Sequence, residues 1–191
     1  AMKEFAHPGH EEIEPTDINK IIENTVTVSR SEWKYVAELE THLADNLPLI
    51  NGDAGKLGQI FLNIIVNAAH AISGIGSSLK EPSHPRGVIK ICSQLDGDWI
   101  VIRISDNGPG MPAEIKKRAF DPFFTTKPVG KGTGQGLSIV YAVIVEQMHG
   151  RIEIDSAPQM GTSFNLFLPV AADTPPRAIV TLLNQTESNQ D

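Results

Sequence analysis

Apolar residues follow Asp17 at helical spacing: Ile18, Ile21, Ile22 and Val28, with Thr25 on the same stripe. Asp17 is a residue type that caps a helix start, so a first helix is expected there. "YVAELETHL" reads as a strand, and "LPLINGD" as a turn leading to Asp53, a second cap. A long helix is predicted from about Ala54 to Ile72 on the stripe of Leu57, Ile60, Phe61, Ile64, Ile65, Ala68 and Ile72. "GSSLKEPSHPRG" is a loop. "VIKICSQL" and "WIVIRIS" alternate with period two around "DGD", a hairpin pattern. "DNGPGMP" is a tight loop and "AEIKKRAF" a short helical stretch.

Residues 121–136 carry glycine, threonine and lysine without periodicity, and are too long for an ordinary connection. Helix returns from Leu137 to Met148, with Gly150 suited to end it in the left-handed conformation and His149 in its last turn. "RIEIDS" and "TSFNLFLP" form a second strand pair. Residues 1–15, broken by Pro8, Gly9 and Pro15, read as a helix end and a linker, residues 16–170 as the globular domain, and 171–191 as a polar tail. Strand pairs and helices in separate runs predict an α+β fold, one sheet covered on one face.

Of the 191 residues, 40% are hydrophobic and 20% charged, the balance of a soluble globular domain. No apolar run reaches the roughly 18 residues a membrane span needs, and no basic-then-apolar leader is present. Ala1-Met2 reads as a cloning scar ahead of an internal fragment. The single cysteine, Cys92, excludes an internal disulfide framework and fits a reducing compartment. A net charge of −7 without a basic stripe weighs against nucleic acid. It leaves room for a polyphosphate held by backbone amides and a metal ion.

Three stretches carry candidate chemistry. Asn63, Asn67 and His70 share one face of the long helix, among neighbours that are apolar almost all round. Two asparagines in a buried helix need partners, because an unpaired amide costs about 1–3 kcal/mol. They either form a polar seam bonded to a neighbouring loop or face a cation and phosphates. Asp106 continues the row Ile100, Ile102, Ile104, so period two places its carboxylate on the buried face. It either caps its own turn or accepts from a purine amino group, with Gly108 and Gly110 letting the backbone approach a flat base. In "FDPFFTTKPVGKGTGQGLSIV", Gly130, Gly132, Gly134 and Gly136 precede a helix, an arrangement that binds anions or is a flexible linker. It matches neither the Walker A order nor the dinucleotide fingerprint. Lys127 and Lys131 add positive charge, and Phe120, Phe123 and Phe124 are candidate anchors of a hinged lid.

Taken together, "NIIVNAAHA", "DNGPGM", "FDPFFTTK", "GTGQGLSIV" and "GTSFNLFLP" resemble, in order and spacing, the five boxes of the ATP-binding domain of sensor histidine kinases. The resemblance covers about residues 16–169 and implies the Bergerat fold, a mixed, mostly antiparallel sheet with helices on one face. It implies ATP and Mg2+ as ligands. By position, Asn67 is the metal ligand, Asn63 its companion, and His70 lies near the phosphates. Asp106 meets the adenine amino group, Gly108 and Gly110 shape the adenine pocket, and Thr162 supports that end. Lys127 lies in the lid. Gly132, Thr133, Gly134, Gln135 and Gly136 belong to the phosphate segment, with Leu137 just beyond. The implied catalytic set is Asn67, Asn63 and Lys127. Gln135 departs from the family, which often has a hydrophobic residue there.

Relatives of this fold that hydrolyse ATP carry a glutamate where this chain has Asn63, and an amide is no general base at neutral pH. The resemblance therefore implies transfer to a histidine on a dimerisation domain, with a response regulator downstream. The alternatives are a water-using ATPase and a nucleotide-free docking scaffold. The implied setting is a cytoplasmic domain, monomeric alone, of a homodimeric parent that membrane segments could anchor. His10, in "GHEEIEP", has the spacing of a phosphoacceptor, but Pro8-Gly9 breaks any helix entering it, and it reads as a decoy.

Overall fold

The computed structural model describes residues 13–76, 86–127 and 132–170. His7, His10, His84, Lys131 and the tail fall outside the described residues. In chain order the elements are β1 (Glu14–Thr16), α1 (Ile18–Val28), α2 (Arg30–Trp33), β2 (Ala37–Leu43), β3 (Ile50–Gly52), α3 (Ala54–Gly76), β4 (Gly87–Asp96), β5 (Trp99–Asp106), α4 (Ala113–Arg118), α5 (Gly136–Tyr141), a π-helical turn (Ala142–Gln147), β6 (Arg151–Ser156) and β7 (Thr162–Pro169). Five strands form one sheet in the order β2-β4-β5-β7-β6, and only the β2–β4 pair is parallel. This is the mixed, mostly antiparallel sheet of the expected α+β class.

Strand alternation sends Ile89 and Ile91 of β4, Ile100, Ile102 and Ile104 of β5, and Phe164, Leu166 and Leu168 of β7 into one core. From the other side α3 supplies Leu57, Ile60, Phe61, Ile64, Ile65, Ala68 and Ile72, as its spacing predicts, and α1 adds Ile18, Ile21 and Ile22. Full burial of such a side chain contributes roughly 1.5–3 kcal/mol, so packing rather than helix propensity holds α3 in place. By length and composition alone α3 is apolar enough to cross a membrane between Ala54 and Gly74, but here its apolar residues fill the domain core. Both predicted caps form: Lys20 N–H donates to Asp17 Oδ1 at 3.2 Å and Lys56 N–H to Asp53 Oδ1 at 3.0 Å.

Four local features differ from the sequence reading. β1, inside a stretch that reads as linker, pairs antiparallel with β3, which lies where a turn was expected. Pro15 is tolerated because this ribbon has only two strands, both edges. Val28 sits at the margin of the α1 stripe and is 72% exposed, while Ser29, one position on, is buried. The last helix is α-helical only to Tyr141 and then widens, Met148 N–H reaching back five residues to Val143 O at 2.9 Å. It ends in a left-handed residue, but that residue is His149 (φ 54°) rather than Gly150, so His149 lies beyond the last turn.

Candidate functional site: a cavity between the long helix and the glycine segment

At one end of the sheet the apolar rows give way to a polar one. Register aligns Ile104 with Phe164 and Ile154, and the next row aligns Asp106 with Thr162 on β7 and Ser156 on β6. Asp106 thus faces the helices, as the alternation predicts. Its Oδ1 accepts from Gly108 N–H at 2.8 Å. Burial pushes the Asp106 carboxyl above its ordinary range, and backbone bonds from Gly108 and Thr162 oppose that shift. Gly110 sits at φ 67°, where a Cβ would lie 2.0 Å from Ala157 O, so the loop after β5 runs backbone against backbone along the β6–β7 turn.

α3 forms the second wall. Asn63 Nδ2 donates to Gly136 O at 3.3 Å, which ties the helix to the start of α5. Lys127 Nζ lies 3.0 Å from both Asn67 Oδ1 and His70 Nδ1. The ammonium has only protons to give, so Asn67 Oδ1 accepts and His70 accepts through Nδ1, leaving the imidazole proton on Nε2. His70 is held below its ordinary pKa by burial first and the Lys127 charge second, with Glu32 opposing. Burial lowers Lys127 as well.

The third wall is the segment from Phe124 to Lys127 and then Gly132 to Leu137. Its two arms cross where Phe123 N–H donates to Gly134 O at 3.0 Å. Phe123 takes φ 65°, and Gly134 takes φ 66° with no room for a Cβ, which would lie 2.4 Å from the Phe123 carbonyl carbon. The Phe123 ring is 71% exposed, so its backbone, not its side chain, fastens the segment. Phe120 packs on Tyr141 at 5.5 Å and Phe124 lies under the Arg118 guanidinium at 4.3 Å.

Between these walls lies a cavity of about 680 Å³. Asn63, Asn67, His70, Asp106, Gly110, Lys127, Gly132, Thr133, Gly134, Gly136, Leu137 and Thr162 line it. Gly108 and Gln135 do not: Gly108 is buried behind the Asp106 carboxylate, and Gln135 is exposed. The apolar lining from Leu62, Val66, Ala71, Met111, Ile115 and Phe164 escaped the sequence reading. Three of those were within reach of it: Leu62 and Val66 flank the asparagine face, and Met111 ends the "DNGPGM" loop.

The cavity is bipolar. A carboxylate and a hydroxyl stand at the sheet end, an ammonium and a glycine-rich backbone at the other, and apolar surface lies between. Volume and polarity suit an extended ligand with a flat polar head and an anionic tail. Among the described residues no group of three or more His, Cys, Asp or Glu side chains converges to hold a metal.

Residues 52–172 match the family described as histidine kinase-, DNA gyrase B-, and HSP90-like ATPase. The sensor kinase CckA of Brucella abortus is 37% identical over 136 residues, covering 69% of this chain and 14% of that protein. The signal transduction histidine-protein kinase AtoS of Escherichia coli is 34% identical over 175 residues, covering 88% of this chain and 26% of AtoS. The solved structure of the mycobacterial sensor histidine kinase MprB is 28% identical with a TM-score of 0.66, over 82% of this chain and 97% of that one. The chain therefore belongs to the histidine kinase-, DNA gyrase B-, and HSP90-like ATPase family, as an ATP-binding catalytic domain of the histidine kinase type.

Proposed function

We propose that this domain binds magnesium-ATP in the cavity and delivers the γ-phosphoryl group to a histidine carried by another domain of its parent protein. The observation that carries this reading is the joining, in one cavity, of the Asp106 carboxylate to the Asn67 amide, Lys127 and the glycine backbone. Asp106 accepts from the adenine amino group. The backbone from Gly132 to Gly136 and the Lys127 ammonium take the phosphates. Phosphoryl transfer requires positioning and charge neutralisation more than covalent help, and these groups are placed to supply both.

The residues fit a magnesium ion that arrives with the nucleotide. Asn67 Oδ1 is turned into the cavity and already accepts from a cation, the Lys127 ammonium. One neutral oxygen is enough when phosphates and waters complete the shell. When bound, magnesium supplies charge neutralisation at the phosphates. Asn63 does not serve as a water-activating base: an amide cannot take the proton, and its nitrogen is engaged with Gly136 O. This supports transfer to a protein group over hydrolysis.

The partners follow from the same reading: a phosphoacceptor domain and then a response regulator, met on the cytoplasmic side. The test is incubation of the domain with γ-labelled ATP, magnesium and a separately produced dimerisation domain bearing a histidine. Label on that histidine is the expected result. Steady phosphate release without label transfer contradicts it.

A further inference from the structure

Ser156, the last residue of β6, has no role in the reading above, yet its hydroxyl joins three segments. It accepts from Met111 N–H at 2.9 Å, donates to Gly161 O at 2.9 Å, and lies 3.1 Å from Thr162 Oγ1. A hydroxyl has one proton and two lone pairs. The Gly161 carbonyl has no proton to offer, so the single Ser156 proton lies in that bond. Met111 N–H occupies one lone pair. The remaining contact therefore runs one way only: Thr162 Oγ1–H donates to Ser156. Thr162 lines the cavity beside Asp106, its partner across the β5–β7 ladder. With its proton turned toward Ser156, Thr162 shows only lone pairs to a ligand. Ionised Asp106 is also an acceptor, so the sheet end of the cavity asks for two donors.

We infer that Ser156 is a specificity-determining positioning residue, whose hydroxyl fixes Thr162 as an acceptor and so selects a 6-amino purine over a 6-oxo purine. This rests on the proposed nucleotide-binding function. An exocyclic amino group has two hydrogens, one for each acceptor, directly or through a water. A 6-oxo group sets a third acceptor against them, and its one neighbouring donor, N1–H, satisfies only one of the pair. Removing the Ser156 hydroxyl frees the Thr162 proton to turn inward and meet the 6-oxo oxygen.

The experiment is calorimetric titration of the full chain with ATP and with inosine triphosphate, in magnesium. Inosine triphosphate differs from ATP only at the 6-position and N1. The wild-type chain prefers ATP. Ser156→Ala narrows the ATP-to-inosine preference by roughly three- to tenfold, and Ser156→Thr, which restores a hydroxyl, keeps it. A purely structural Ser156 weakens both ligands equally in Ser156→Ala, and that unchanged ratio overturns the inference. Thr162→Val, which deletes the acceptor and leaves Ser156 in place, must narrow the same ratio. This second variant decides the matter if Ser156→Ala does not fold. A wild-type chain that binds both ligands equally refutes the role of Ser156 alone. A chain that binds neither refutes the nucleotide reading beneath it.

Discussion

The two ends of the cavity are built by different means. The sheet end is fixed mostly by main chain: Gln159 N–H donates to Pro109 O at 2.6 Å and Asn107 N–H to Val88 O at 3.2 Å, while two short side chains add to it, Asn107 Oδ1 accepting from Val88 N–H at 2.8 Å and Ser156 Oγ from Met111 N–H at 2.9 Å. Its recognition groups stand on paired strands. The other end meets α3 mainly through the long side chain of Lys127 and through Asn63 on Gly136 O. The Lys127 ammonium occupies Asn67 Oδ1, the oxygen proposed above for the magnesium ion. A preformed end suits recognition of a rigid base. An end whose contacts a ligand replaces suits phosphates that must enter, react and leave.

Three substitutions bear on this contrast, with four expected effects in falling order. Asn67→Ala removes the inward-facing amide oxygen that accepts from the Lys127 ammonium. Phosphoryl transfer to a supplied phosphoacceptor domain should fall by roughly a hundredfold or more, with the melting temperature little changed. Retained transfer removes Asn67 from the reaction. Asp106→Asn should weaken ATP binding about tenfold, measured by calorimetry, because the amide no longer presents two equivalent acceptor oxygens. Unchanged preference for ATP over GTP breaks the assignment of this end to the base.

Lys127→Ala acts at the replaceable end. Transfer should drop several-fold while ATP affinity without magnesium changes less, since adenine contacts remain. Equal loss in both assays erases the division between the two ends. The smallest effect concerns stability and its pH dependence. The Asp106 carboxyl is raised by burial, so the folded state binds the proton more tightly than the unfolded chain. That contribution is complete below the ordinary aspartate range and is lost as pH rises through the folded value. Asp106→Asn, free of this charge, should therefore melt slightly higher than wild type at neutral pH, by about 1–3 °C, and show no such gain in acid. An equal gain at both pH values shows that the charge is not the cause.

What could be read from the sequence divides along similar lines. The α3 stripe, its asparagine face and the placement of Asp106 follow from periodicity, which is local and survives in a single sequence. The helix caps at Asp17 and Asp53 are local too. The strand at Glu14–Thr16 is not, because its partner, β3, lies more than thirty residues away and Pro15 argues against it. The exposed Phe123 ring was misplaced for the same reason: its backbone conformation depends on Gly134, across the segment. The Ser156 junction needs the β5–β7–β6 register, which no pattern in "RIEIDS" reveals beyond an inward-facing position. Lys127 was legible as a cation beside the glycine segment, but its contact with Asn67 and His70 was not.

The central claim is that one cavity takes a purine nucleotide whose metal is held from α3. Its most direct test is calorimetric titration with a non-hydrolysable ATP analogue, with and without magnesium, on wild type and Asn67→Ala. The account predicts one-to-one binding that magnesium strengthens in wild type and leaves unchanged in Asn67→Ala. Absence of binding, or a magnesium effect that persists without Asn67, contradicts it.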